Sequence, residues 1–216
     1  MKYLKLFEDF NDYDPYELMI TPPNKKAEML VGELEKDEPN LNLVRDLITL
    51  GANLDWQNIY GWTALHSCAS MRQKDHPEIA RMLIEAGADL NIQDNGGSTA
   101  LHCCARLNHP EIMRMLIDAG ADLNFQDDSG WTTLYWCADL NRTEMVKMLI
   151  EAGADVNIQT NLEWTALHNC AFWGNTRLEI ARMLIDAGAD KTIPNDKGRL
   201  PYELAKTKKL KELLQP

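Results

Sequence analysis

One threonine position recurs down this chain at a nearly fixed distance. Thr63, Thr99, Thr132 and Thr165 stand 36, 33 and 33 residues apart, and Leu200 takes the same place 35 residues further on. A period of this length holds one pair of helices and a connecting loop, too little to bury an apolar face alone. Neighbouring units must cover it, so the chain grows as a linear array rather than around one centre. The 216 residues therefore read as a single all-α solenoid.

Each unit has the same internal grammar. Thr99-Ala100-Leu101-His102 opens a first helix, with the threonine suited to cap exposed backbone N–H groups and the histidine, three residues on, able to return a hydrogen bond to that turn. His66 and His168 repeat the arrangement, and Tyr135 takes the place in the third unit. The second helices, such as Glu111-Ile112-Met113-Arg114-Met115-Leu116-Ile117, are apolar over too wide an arc for a lone surface helix, so stacking is obligatory. Gly87, Gly120, Gly153 and Gly188 end them, and Asp89, Asp122, Asp155 and Asp190 are expected to bond the backbone of the turns that follow. Each unit is thus helix, turn, helix and hairpin-like loop.

The ends differ from the middle. Residues 24–57 carry a degenerate unit with the closing turn but no Thr-x-x-His opening, the expected form of a terminal cap. Fuller units occupy 58–93, 94–126, 127–159 and 160–194, and 195–216 form a shortened, basic closing cap. Ahead of the array, residues 1–23 have another texture. Apolar residues at 3, 4, 7 and 10 predict a short amphipathic helix, either a docking element over the first unit or a separate binding motif.

Thr-Ala-Leu-His at 63–66, 99–102 and 165–168, with Gly-Ala-Asp-Leu-Asn at 87–91 and 120–124 and Gly-Ala-Asp-Val-Asn at 153–157, closely resembles ankyrin repeats from about Asn40 onward. That resemblance implies an ankyrin-repeat solenoid of stacked helix-turn-helix units, with hairpin loops projecting toward a concave side. The sequence departs from the family pattern in three ways. Ala64, Ala100, Thr133 and Ala166 replace its usual proline; the inter-helix turns are longer within 71–75 and around Asn175-Thr176; and Glu163 stands where other units have Gly61, Gly97 and Gly130.

A net charge of -11 argues against nucleic acid, which is gripped by Lys and Arg displacing counterions, and against anionic membrane surfaces. Met1–Phe10 is too short and too charged for a signal peptide or a span. Four of the five cysteines, Cys68, Cys104, Cys137 and Cys170, share one repeat position and read as small core residues; adjacent Cys103 is expected nearer the inner groove. A reducing, cytoplasmic setting follows. The five histidines are all used by the repeat, and no phosphate loop, nucleophile elbow or spaced zinc ligands occur, so the expectation is a non-enzymatic, monomeric chain without cofactor.

The aromatic residues break the pattern. Trp62, Trp131 and Trp164 precede the capping threonines, where Ser98 and Arg199 sit in other units, a position that in ankyrin repeats is variable and faces the concave side. A slot that accepts Trp, Ser and Arg is not fixed by packing, and buried Trp and Tyr dominate interfaces. The expected contact surface is Tyr60, Trp62, Trp131, Trp136, Leu140, Trp164, Phe172 and Trp173, rimmed by Asp94, Asp127, Asp128, Asp139 and Glu163. It would take a partner protein or peptide with basic residues beside apolar anchors. Two other readings stand beside this one: a viral or host-directed effector using the same groove to block or redirect a host factor, and a substrate for an asparaginyl hydroxylase at Asn91, Asn124 and Asn157, which resemble the hairpin asparagine such enzymes modify in ankyrin proteins.

Overall fold

The computed structural model describes residues 15–36, 38–70 and 76–216. The amphipathic helix expected over residues 3–10 and the longer turn within 71–75 lie outside them.

Helices α1 (Pro15–Ile20), α2 (Pro23–Leu34) and α3 (Leu41–Thr49) precede the full units. The full units contribute α4 (Ala64–Ala69) with α5 (Pro77–Glu85), α6 (Ala100–Leu107) with α7 (Pro110–Asp118), α8 (Thr133–Asp139) with α9 (Thr143–Glu151), and α10 (Ala166–Trp173) with α11 (Leu178–Asp186). The chain closes with α12 (Pro201–Leu204) and α13 (Lys208–Leu214). Helices α2, α4, α6, α8, α10 and α12 pack in succession as one row, and α3, α5, α7, α9 and α11 as a second row behind it.

The capping chemistry accounts for where the first helices begin. Thr63, Thr99 and Thr165 are N-caps in extended backbone, and the Nδ1 atoms of His66, His102 and His168 accept their backbone N–H at 3.2, 3.1 and 3.1 Å. Thr132 caps α8 through its hydroxyl oxygen, which accepts the Tyr135 N–H at 3.2 Å. Leu200 has no such oxygen, and only the Glu203 carboxylate serves α12, accepting the Leu200 N–H at 2.7 Å.

The second row ends in a left-handed residue, as at Gly120 (φ 88°), where Ala121 N–H returns to the Leu116 carbonyl at 3.0 Å. Its apolar side lies between units: Ile79, Ala80 and Leu83, then Ile112, Met113 and Leu116, then Met145, Val146 and Leu149, then Ile180, Ala181 and Leu184 are all closed to solvent. Each large side chain among them gains about 1.5–3 kcal/mol from burial. Much of that burial is lost for a unit without its neighbours.

Cys103 corrects one expectation. It is 2% exposed, as enclosed as Cys104 at 0%, because the first helices on either side close over its slot, where Ser67 and Asn169 are also buried. The extra residues around Asn175-Thr176 are taken up as one 3-10 turn, Gly174–Arg177. Leu18 of α1 is buried in the core, while Tyr16, Met19 and Ile20 are exposed. Among the described residues no helix is long and apolar enough to cross a membrane.

Candidate functional site

The aromatic face is built on loops that are tied both internally and to one another. In each loop the first residue holds the backbone with its side chain: Asp94 Oδ1 accepts the N–H of Gly96 and Ser98, and Asp127 Oδ1 those of Ser129 and Trp131, all at 2.9 Å. Asn58, Thr160 and Asn195 do the same in their loops. A backbone bond then joins neighbouring tips, from Asn95 N to Tyr60 O, Asp128 N to Gly96 O, Asn161 N to Ser129 O and Asp196 N to Leu162 O.

Two further ladders run alongside. Gln57, Gln93, Gln126 and Gln159 each divide one Nε2 amide between two carbonyls, one in the same loop and one in the next. Asn91, Asn124 and Asn157 lend Oδ1 to the backbone N–H of Asp122, Asp155 and Asp190 in the following unit. Asp89, Asp122, Asp155 and Asp190 bond the turn backbone two residues on. The glutamine ladder escaped the sequence reading, although the same residue recurs at 36, 33 and 33 residues.

The buried histidines reach across units as well. Nε2 of His66, His102 and His168 lies 2.9, 3.1 and 3.1 Å from the carbonyls of Ser98, Trp131 and Arg199. A carbonyl only accepts, so Nε2 carries the proton and Nδ1 is the acceptor that serves the threonine. Burial lowers the pKa of each ring below 6.5, against the opposing pull of that backbone bond, so the neutral tautomer is the one stored in the fold. Tyr135 takes the same place in the third unit but meets the Asn169 side chain of the next unit rather than a backbone carbonyl. Among the described residues Trp131 O therefore receives both Asp127 N and His102, whereas Trp164 O receives Thr160 N alone.

On this frame the aromatic residues fall into three groups. Trp62 is partly buried and donates its indole N–H to Asp94 Oδ2 of the next loop at 3.2 Å. Trp131 packs against Tyr135 at 4.7 Å and Trp136 at 4.5 Å between ring centres, and Trp136 donates to Asp127 Oδ2 at 2.8 Å. Trp164 meets Phe172 edge-on at 5.7 Å, Phe172 meets Trp173 at 5.6 Å, and Trp173 donates to Asp139 Oδ1 at 2.9 Å. Phe172 is 41% and Trp173 48% exposed. Tyr60 stands exposed at a loop tip and Leu140 is partly buried at the end of α8.

The rim carboxylates are engaged more than their spacing alone implies. Asp94 and Asp127 use one oxygen on their own loop and the other on an indole, and Asp139 Oδ1 accepts both Asn169 Nδ2 and Trp173 Nε1. Asp128 and Glu163 remain exposed. Cations lie over three rings: Arg106 over Trp136 and Arg177 over Trp173 at 5.9 Å, and Lys206 Nζ over Phe172 at 4.3 Å. The indole N–H groups of Trp131 and Trp164 enter no hydrogen bond among the described residues.

Burial pushes the Cys103 thiol up and the Cys170 thiol to about 12, so both stay protonated. Among the described residues no group of three or more His, Cys, Asp or Glu is placed to hold a metal ion.

A family model described as ankyrin repeats (3 copies) matches residues 35–127 and 119–195. No curated protein sequence matches the chain. The fold is similar to the crystal structure of the ankyrin repeat domain of Bcl-3, described as a unique member of the IkappaB protein family, with a TM-score of 0.74 and 30% identity over 81% of this chain and 76% of that one.

Proposed function

We propose that this chain, which belongs to the ankyrin-repeat family, grips a partner protein or peptide along the face made by its loops and first helices. Ankyrin repeats are protein–protein interaction modules. The observation that supports it is the fixing of Trp62, Trp136 and Trp173 by carboxylates at 3.2, 2.8 and 2.9 Å, beside Trp131 and Trp164, whose indole donors are unspent. Held rings lose little freedom when a partner arrives, so the ordering cost of binding falls. Asp128 and Glu163 favour Lys or Arg next to apolar anchors over the third and fourth units.

Trp131→Ala with Trp164→Ala tests the reading by affinity capture followed by mass spectrometry. Loss of about 2 kcal/mol at each anchor weakens a partner by about a thousandfold, while the helical signal persists. Trp173→Ser, at a more exposed ring, supplies a control free of core damage. Capture that survives both variants would place the contact surface elsewhere.

A further inference from the structure

We infer that the C-terminal end of this face is a subsite for an acidic segment of the partner, in which an apolar side chain lies on Phe172 and Trp173 and neighbouring carboxylates meet Lys206, Arg199 and Lys197. The inference rests on the groove reading above and specifies the partner's chemistry at one end of it.

Charge is the first support. The chain carries 22 Lys and Arg against 33 Asp and Glu, yet residues 191–216 reverse the balance, with seven against three. Lys197, Arg199 and Lys206 are exposed and enter no ion pair among the described residues.

Placement is the second. Arg199 occupies the slot that follows Trp131 and Trp164 along the face, on backbone pinned by Asn195 Oδ1 at 3.0 Å and by His168 Nε2 at 3.1 Å. The Lys206 ammonium rests on Phe172, and Thr207 beside it is tied to Asn175 by a 2.8 Å hydroxyl bond. Arg177 lies over Trp173 with its guanidinium donating to the carbonyls of Ala138 and Asp139. Cations fixed on exposed rings present charge at an apolar surface, where a carboxylate gains more than from a solvated lysine.

The carboxylates nearby do not cancel the arrangement. Asp139 is taken by Asn169 and Trp173, and Glu203 by the Leu200 N–H, leaving Glu163 and Asp196. Asp128 and Glu163 next door would repel a long polyanion such as nucleic acid, whereas a short acidic stretch clears them. With Asp128 and Glu163 exposed on the loops of the third and fourth units and cations over the closing cap, the partner's direction along the face is set: its basic part toward the middle of the array and its acidic part toward the cap.

The test uses the full chain and three synthetic peptides: glutamates flanking a central leucine pair, the same peptide with lysines for glutamates, and the same with serines for leucines. Binding is read by fluorescence anisotropy and by the indole N–H resonance of Trp173. The glutamate–leucine peptide is expected to bind and shift Trp173, to weaken about tenfold or more in Lys206→Glu/Arg199→Glu, and to weaken again between about 50 and about 300 mM salt. Neither of the other peptides should bind comparably. An unmoved Trp173 resonance, indifference to the double charge reversal, or equal binding of the serine peptide would overturn the subsite. So would sedimentation showing a self-associated chain that the charge reversal dissociates, since the seat would then belong to a second copy. Partner capture lost in Trp131→Ala/Trp164→Ala but kept in Lys206→Glu/Arg199→Glu sinks the subsite alone; the opposite pattern sinks the groove reading instead.

Discussion

The junction between the second and third full units and the junction between the third and fourth solve one problem by different means. At the loops they are alike, each with a tip-to-tip backbone bond, a glutamine and an asparagine. At the helices they part. The earlier junction is closed by the buried ring of His102 against the Trp131 carbonyl. The later one has Tyr135 in that place and is closed by Asn169, Trp173 and Arg177 converging on the end of α8. A neutral ring sealed from water is exchanged for a half-open network of charge and aromatic surface. The contrast teaches that a repeat can give up an interior bond where an outward one takes over the load.

Acidification should separate the two most strongly, because it acts on three histidines at once. Their folded pKa lies below the ordinary 6.5, so the unfolded chain binds more protons as pH falls from 6.5 toward the folded value. The stability they contribute is fully present above pH 6.5 and is lost across that window. Hydrogen exchange at stepped pH should show the His66, His102 and His168 junctions loosening before the Tyr135 junction; simultaneous loosening would break the comparison.

His102→Ala comes next, at about 3 kcal/mol, since it removes a cap bond and a cross-unit bond inside a sealed site. Urea unfolding measures it, and the variant should also show a shallower loss of stability with acid. Asp139→Ala is expected to cost about 2 kcal/mol, because it removes the carboxylate that accepts both the buried Asn169 amide and the Trp173 indole. Its indole resonance at Trp173 should move while that of Trp62 stays, and a uniform shift would contradict the locality of the network. The smallest effect has the opposite sign. Glu163 holds a left-handed backbone (φ 58°) that Gly61, Gly97 and Gly130 hold in the other units, so Glu163→Gly should stabilise by about 1 kcal/mol. A neutral or negative result would mean that the glutamate side chain offsets its strain.

The period, the capping threonines and the apolar second helices carry the fold, and each is local or strictly periodic, which is why Thr99 and His102 could be read as a pair from three residues' spacing. The cross-unit half of that pair could not: His102 to Trp131 depends on how one unit sits on the next. The same holds for Trp62 with Asp94 and for Lys206 with Phe172, partners 32 and 34 residues apart whose meeting depends on stacking geometry. Spacing placed Asp94 and Asp127 beside the aromatic residues but gave no sign that indoles had claimed them. It also put Cys103 toward the open face, since one helix's pattern does not reveal the neighbour that covers it. For the glutamines the signal was present, as identity at a fixed interval.

That series of glutamines joins each coil to the next and to nothing beyond. Extension between distant coils therefore accumulates in small equal steps, as in a spring, while adjacent coils keep their pitch. A guest that touches two adjoining coils meets a stiff seat, and one broad enough to span the whole array meets a compliant one. Breadth of contact alone thus sets how firmly the array resists deformation, before any question of which side chains are touched.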